Sequence, residues 1–299
     1  MQTKTTSRLT GRWAALAIVL LTGPGLVGAT APATAQTGQD LGPIVVRDSA
    51  EGLTLSRDVT HAGRVTITVE APNIDFGGAI MFKLVPPATL ATFRADFKDE
   101  FSGDLARAAR GTRNLTRHVR FYGLTEVARG RSVSVTQTLS AGTYYLVDDN
   151  ADLAGGTPPL LPLTVLGTSR GHKAQESGHQ PTVSMTANDL FDVRGSLPAR
   201  GTISVRNVSD TLHLMQVWPV LPGTKDEAVQ AWLDDGAQGD PGFFVDGPTM
   251  GLNMLSPGQS VQMTYDMPAG SYLLLCEIRD AETGMPHVFM GMHKVVTLK

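Results

Sequence analysis

The chain carries one cysteine, Cys276, among its 299 residues, so no disulfide can form within it. Three fates remain for that sulfur: an inert buried thiol, a bridge to a second chain, or a metal ligand. Further donors follow closely, because His287, Met290, Met292 and His293 all fall within the next seventeen residues. Other groups with chemical potential are placed less suggestively. The acid pairs Asp148-Asp149 and Asp234-Asp235 sit in turn-like stretches and read as solvated turn residues. His172 and His179, seven apart in a polar segment, are too sparse for a metal-binding tract. No His-Glu-x-x-His helix or phosphate-cradling glycine loop occurs, and no nucleophile and base are visible for a hydrolase. The chain therefore reads as something other than an enzyme.

The elements that would position these donors come from a repeat. The segment 64–69 (RVTITV) aligns with 200–205 (RGTISV), and Val85-Pro86-Pro87 aligns with Leu221-Pro222-Gly223 at the same offset. A second block, from Gly123-Leu124 through Ser132-Val133 to Ala141-Gly142-Thr143-Tyr144, matches Gly251-Leu252, Ser260-Val261 and Ala269-Gly270-Ser271-Tyr272 without a gap. Apolar and polar residues alternate through the matched segments, which are bounded by Gly, Pro, Asn or Asp, so they are predicted strands. One short helix is predicted per copy. In the second copy Thr224 and Glu227 have a capping-box spacing ahead of Ala228, Ala231 and Trp232; in the first, Leu90, Phe93 and Phe97 share a face. The expected fold class is all-β, two tandem Greek-key β-sandwich domains each with a short helix. Residues 36–166 form the first domain, 167–182 a linker and 183–299 the second.

The end of the second copy resembles the cupredoxins, the plastocyanin and azurin relatives. There a Gly-rich turn and a strand ending in Cys lead into a loop carrying His and then Met, as Gly270 to Cys276, His287 and Met292 do here. Upstream, His213 follows a strand and an Asn-containing turn at Asn207, where that family places its first histidine. The resemblance implies one copper ion held by His213, Cys276 and His287, with Met292 as weak axial ligand and Met290 as its competitor. Two imidazoles and a thiolate suit copper because soft sulfur stabilises Cu(I) while imidazole also serves Cu(II). His293, beside Met292 in a strand, is expected to face solvent, and Val288 and Phe289 to form a docking surface. Ten residues separate Cys276 from His287, where plastocyanin-like loops have two to four, so this loop must fold back, helped by Gly284 and Pro286. In the first copy Gly77, Asp148 and Pro159 stand where His213, Cys276 and His287 do, so that copy lacks the site.

At the N-terminus, Lys4, Arg8 and Arg12 precede an apolar run at 13–21 and then Ala33-Thr34-Ala35, the order of a secretory signal cleaved after Ala35. The run is too short to span a bilayer. A soluble protein outside the cytoplasm is expected. Net charge is −3 with 25 Lys+Arg and no basic stripe interleaved with aromatics, which argues against nucleic acid as a partner. Two functions follow: an exported electron-transfer or copper-carrying protein that meets a redox partner protein, or a metal-free binding or structural module. The second requires the Cys276 sulfur and the His287 ring to lie more than about 6 Å apart, too far to share an ion.

Overall fold

A computed structural model of the chain describes residues 42–151, 158–167 and 180–299. The expected signal segment, His172, His179 and most of the linker lie outside the described residues.

Alternation makes the strands. In β4 (Gly63–Glu70), Val65, Ile67 and Val69 point inward while Thr66 and Thr68 pair with Thr136 and Ser134 on the outer face. The first half adds β1 (Ile44–Ser49), β2 (Gly52–Leu55), β3 (Val59–His61), β5 (Phe76–Leu84), β6 (Val119–Phe121), β7 (Thr125–Ala128), β8 (Ser132–Leu139), β9 (Gly142–Asp148) and β10 (Leu161–Leu166). The second half supplies β11 (Thr182–Met185), β12 (Phe191–Arg194), β13 (Arg200–Asn207), β14 (His213–Val220), β15 (Met250–Leu255), β16 (Ser260–Asp266), β17 (Gly270–Leu275) and β18 (His293–Leu298).

These strands form two sheets, each running through both halves. One has the order β12-β11-β13-β16-β8-β4-β1-β2 and the other β18-β17-β14-β15-β7-β5-β9-β10-β3, with β6 against β5. The halves join at β8–β16 and β7–β15, both antiparallel. In the first seam Val135 pairs with Met263. The two halves thus meet strand to strand, and each covers an edge strand of the other that would otherwise expose unpaired backbone groups. The apolar core is correspondingly continuous, from Phe82 and Tyr144 through Leu124 and Leu252 to Met263 and Leu274.

Among the described residues three α-helices decorate the sandwich. In α1 (Leu90–Glu100), Phe93 and Phe97 are buried as their spacing predicts, and Thr89 with Thr92 forms a capping box. In α3 (Asp226–Asp234) the expected capping box does not form, because the Thr224 hydroxyl donates to the Leu221 carbonyl at 2.7 Å instead. Its buried residues are Val229 and Leu233, which with Trp218, Phe243 and Val288 make a second apolar cluster outside β14 and β17. The first half departs from the expected single short helix, since it also carries α2 (Leu105–His118), the longest of the described helices. Its buried stripe is narrow, Ala108, Ala109, Gly111, Thr112 and Leu115, and four arginines on the other face mask it.

The α1–α2 pair buries the carboxylates of Asp96 and Glu100. Glu100 is 2% exposed, and one of its oxygens accepts from the Arg279 backbone N–H at 3.4 Å. Desolvation outweighs the attraction of Arg279, and Glu277 adds repulsion, so its pKa rises from 4.5 to about 7. Between those values the unfolded chain has released this proton and the folded chain has not, so stability falls as pH rises through the window. The loss amounts to about 3 kcal/mol. Glu100→Gln has no such proton to lose; denaturant unfolding at pH 5 and pH 7.5 is expected to show the variant gaining on the parent at the higher pH.

Candidate metal centre

The approach to His213 is built by Asn207, the last residue of β13. Its side-chain amide donates to the carbonyls of Thr211 and Leu255 at 2.8 and 2.7 Å, and its oxygen accepts from the Ser209 N–H and hydroxyl at 3.0 and 2.7 Å. That closed turn delivers His213 as the first residue of β14, fully buried.

Cys276 follows β17 directly. Its backbone N–H donates to the Met292 carbonyl at 3.2 Å and its carbonyl accepts from Val288 at 2.8 Å, which ties the strand end to both sides of the turn carrying His287. The loop between them folds back as its length requires. Asp280 caps it, accepting from the N–H groups of Glu282 and Thr283, Gly284 takes φ +75°, and the His287 N–H closes onto the Ile278 carbonyl at 2.9 Å. Pro286 then opens a 3-10 turn at His287–Met290 that ends at Gly291 with φ +103°. The Met292 N–H returns to the His287 carbonyl at 2.9 Å.

Three donor atoms converge inside this frame. His213 Nδ1 lies 3.2 Å from His287 Nδ1, and the Cys276 Sγ lies 3.8 Å from the first and 3.6 Å from the second. A circle through three atoms so spaced has a radius of about 2.1 Å, within about 0.2 Å of ordinary metal–nitrogen and metal–thiolate bond lengths. All three residues are fully buried. The sulfur also accepts from the Leu214 backbone N–H at 3.4 Å, a contact suited to a thiolate. Of the two candidate thioethers, Met292 is fully buried, whereas Met290 is 45% exposed and its sulfur faces the Thr283 hydroxyl.

Two neighbouring expectations need correction. His293 does not face solvent: its side chain is 5% exposed, with Nε2 at 2.8 Å from Gln230 Oε1 on α3 and Nδ1 near Asp226. It points away from Met292 as alternation requires, but α3 covers that face. Val288 and Phe289 form no docking surface either, because both pack into the apolar cluster beneath α3.

Burial sets the protonation states. It pushes His213 down to about 3 and, more weakly opposed by Asp280, His287 down to about 4, so both rings are neutral at pH 7. The Cys276 thiol is pushed up to about 12 by the same desolvation, against the pull of the Leu214 and Ile278 N–H groups. An ion entering the triangle therefore displaces a single proton, that of the thiol.

Sequence reasoning missed Asp189. It occupies the turn between β11 and β12 with φ +52°, a left-handed conformation that Asp tolerates better than most residues. One carboxylate oxygen lies 3.7 Å from His213 Nε2 and 3.9 Å from His287 Nε2, too far for a hydrogen bond, and neither nitrogen has a hydrogen-bond partner among the described residues. Burial, then Asp280 and Asp210, raise its pKa to about 6, so it is mainly ionised at neutral pH. A negative oxygen facing both Nε2 atoms favours N–H at each, which leaves both Nδ1 lone pairs pointing into the triangle as acceptors. In the sequence, Thr186-Ala187-Asn188-Asp189 reads only as a turn, with no sign that its last side chain looks inward.

The first half has closed the equivalent place. A Cβ on Gly77 would meet Ala71 Cβ at 2.9 Å and Asp48 Oδ2 at 3.0 Å, and that carboxylate is held by the Gly78 N–H at 2.9 Å. Among the described residues, no histidine or cysteine group gathers there. Two sandwich sheets with a His–Cys–His–Met set at one end describe a cupredoxin-like fold. No family profile and no curated protein matches the chain. Among solved structures, auracyanin from Roseiflexus castenholzii aligns at 22% identity over 40% of this chain and 94% of its own, with a TM-score of 0.25. Auracyanin A, a "blue" copper protein from Chloroflexus aurantiacus, aligns at 17% over 42% and 100%, with a TM-score of 0.27. The multicopper oxidase mgLAC aligns at 14% over 86% and 76%, with a TM-score of 0.20. Scores this low carry no weight for fold or function, which rest on strand order and donor geometry.

Removing the negative charge at Asp189 should favour the less positive metal state. Asp189→Asn is expected to raise the reduction potential of the copper-bound protein at pH 7.5 by about 100 mV, the scale of a unit charge about 6 Å away at an effective dielectric near 20. Protein-film voltammetry measures it, and an unchanged potential would leave the carboxylate without an electrostatic role.

Proposed function

We propose that this is an exported, single-copper electron-transfer protein in which His213, Cys276 and His287, with Met292 beside them, would hold the ion. The observation that supports it best is the triangle of donors, already spaced for one ion before any ion is bound. Copper in such a site supplies one-electron chemistry, cycling between Cu(I) and Cu(II).

The chain's own residues supply what that chemistry needs. The Leu214 N–H supports negative charge on the sulfur. His213 and His287 are locked by β14 and by the turn at His287–Met290, so neither ring has to swing when the charge changes. Burial of all four ligands keeps water from reorganising around them. A rigid, enclosed site favours electron transfer over copper carriage, because a carrier must release its ion to a partner and these ligands are fully covered. Leu190 beside Asp189 and Met290 beside His287 are exposed apolar residues near the ligands, 46% and 45% accessible, and suit brief contact with a redox partner protein. Among the described residues no helix is long and apolar enough to cross a membrane; export rests on the signal-like N-terminus.

The metal-free module is disfavoured on its own terms, since it required Cys276 and His287 to stand more than about 6 Å apart and they stand at 3.6 Å. The deciding experiment is a Cu(II) titration of the mature protein, repeated with Cys276→Ser. An intense thiolate-to-copper band near about 600 nm, one equivalent at saturation and lost in the variant, is the expected result. Copper uptake without the band, or no uptake, would remove the electron-transfer reading.

A further inference from the structure

The loop 277–286 does not stand free at the end of the second half. Gly284 lies so close to the first turn of α2 that a Cβ there would meet the Leu105 carbonyl oxygen at 2.0 Å. Arg113, also on α2, donates through its guanidinium to the Ala281 carbonyl. From α1, the Glu100 carboxylate accepts from the Arg279 N–H, and the Arg279 guanidinium turns back to the Gly284 carbonyl at 3.4 Å. Three separate points on the loop are thus held by the helix pair of the other half.

That helix pair is itself braced. Gly111 brings α2 against the end of α1, where a Cβ would meet Glu100 N at 2.2 Å. Asp99 on α1 receives Arg107 at 2.8 Å and Arg110 at 2.9 Å from α2, and Asp96 receives Asn114 at 2.9 Å and lies 2.7 Å from His118. Phe93 stacks on Phe82 of β5 with centroids 4.0 Å apart, which seats the pair on the first-half core. Beyond the loop, the Ile278 carbonyl holds the His287 N–H and the Ile278 N–H reaches toward the sulfur.

We infer that the α1–α2 pair is a positioning platform: the first half, which has given up the donor set, seats the ligand loop of the second and thereby sets where His287 stands against Cys276. The loop's ten residues follow from this role, since a loop of two to four could not reach the helices. As a claim about ligands the inference rests on the proposed function, but the seating of the loop is independent of metal.

The test uses the whole chain with Arg113→Ala and Gly284→Ala. Gly258→Ala is the control, because Gly258 has a similar positive φ of +71° and nothing within 4 Å of a Cβ there. Hydrogen exchange on metal-free protein is expected to quicken about tenfold for the amides of 278–287 in the first two variants, while β13 and β16 keep their protection. Gly258→Ala should leave that loop unchanged. With copper bound, the first two variants should also shift the reduction potential and the visible band, which a merely global loss of stability would not move. Parental exchange across 278–287 in both variants would overturn the platform. A parent protein that takes up no copper would sink the copper reading alone, and exchange would still decide the seating. Arg113 is exposed, so its variant is expected to fold even where Gly284→Ala does not.

Discussion

Two imidazole nitrogens 3.2 Å apart in a dry interior are the constraint around which this molecule is arranged. Both rings charged at that distance would repel by about 5 kcal/mol even at an effective dielectric of 20, so burial must hold them neutral. Neutrality alone would let one ring donate to the other and close the site. The Asp189 carboxylate, facing both outer nitrogens, opposes that arrangement, because a ring that donated inward would turn a lone pair toward a negative oxygen. What remains is two acceptors and a thiol turned on one point, a cluster that lacks a positive charge. A metal ion held with a thiolate supplies it, and the carboxylate then offsets the charge that the thiolate leaves uncompensated.

Much of the surrounding structure follows from keeping that cluster dry and fixed. The side of β14 away from the core would be open to water if α3 did not cover it, and the Val288 and Phe289 side chains, pressed under the same helix, anchor the turn that carries His287. Cys276 is clamped through its own backbone to Val288 and Met292, so strand end, turn and final strand move as a unit. The binding geometry is therefore inherited from main-chain hydrogen bonds, and the side chains need few contacts of their own.

The sequence disclosed those parts of the fold whose pattern is local. Strand alternation and the helix at Leu90, Phe93 and Phe97 could be read directly, and the donor set followed from the resemblance that the Gly270-to-Met292 order carries. What escaped reading depends on contacts between distant segments. The α2 stripe is made of Ala, Gly and Thr, residues small enough to let two helices touch but too weakly apolar to stand out against Arg107, Arg110, Arg113 and Arg117. Asp189 looks like any turn aspartate until the β11–β12 hairpin is folded over the imidazoles. The joining of the sheets was equally hidden, because β8 and β16 alternate as edge strands and interior strands alike do.

Why a copy without ligands should persist is answered by what its removal would expose. Without the first half, β15 and β16 would present bare edges along both sheets, and such edges template aggregation. Parts of the common core around Leu252 and Met263 would also be opened to water, at a cost of about 1.5–3 kcal/mol for each large side chain uncovered. Restoring a metal site there is blocked sterically, since Gly77 has no room for a side chain and Asp48 holds the space through the Gly78 N–H. The division between the halves is thus structural: one keeps the donors, and the other completes the sheets and carries the helices on which the donor loop rests.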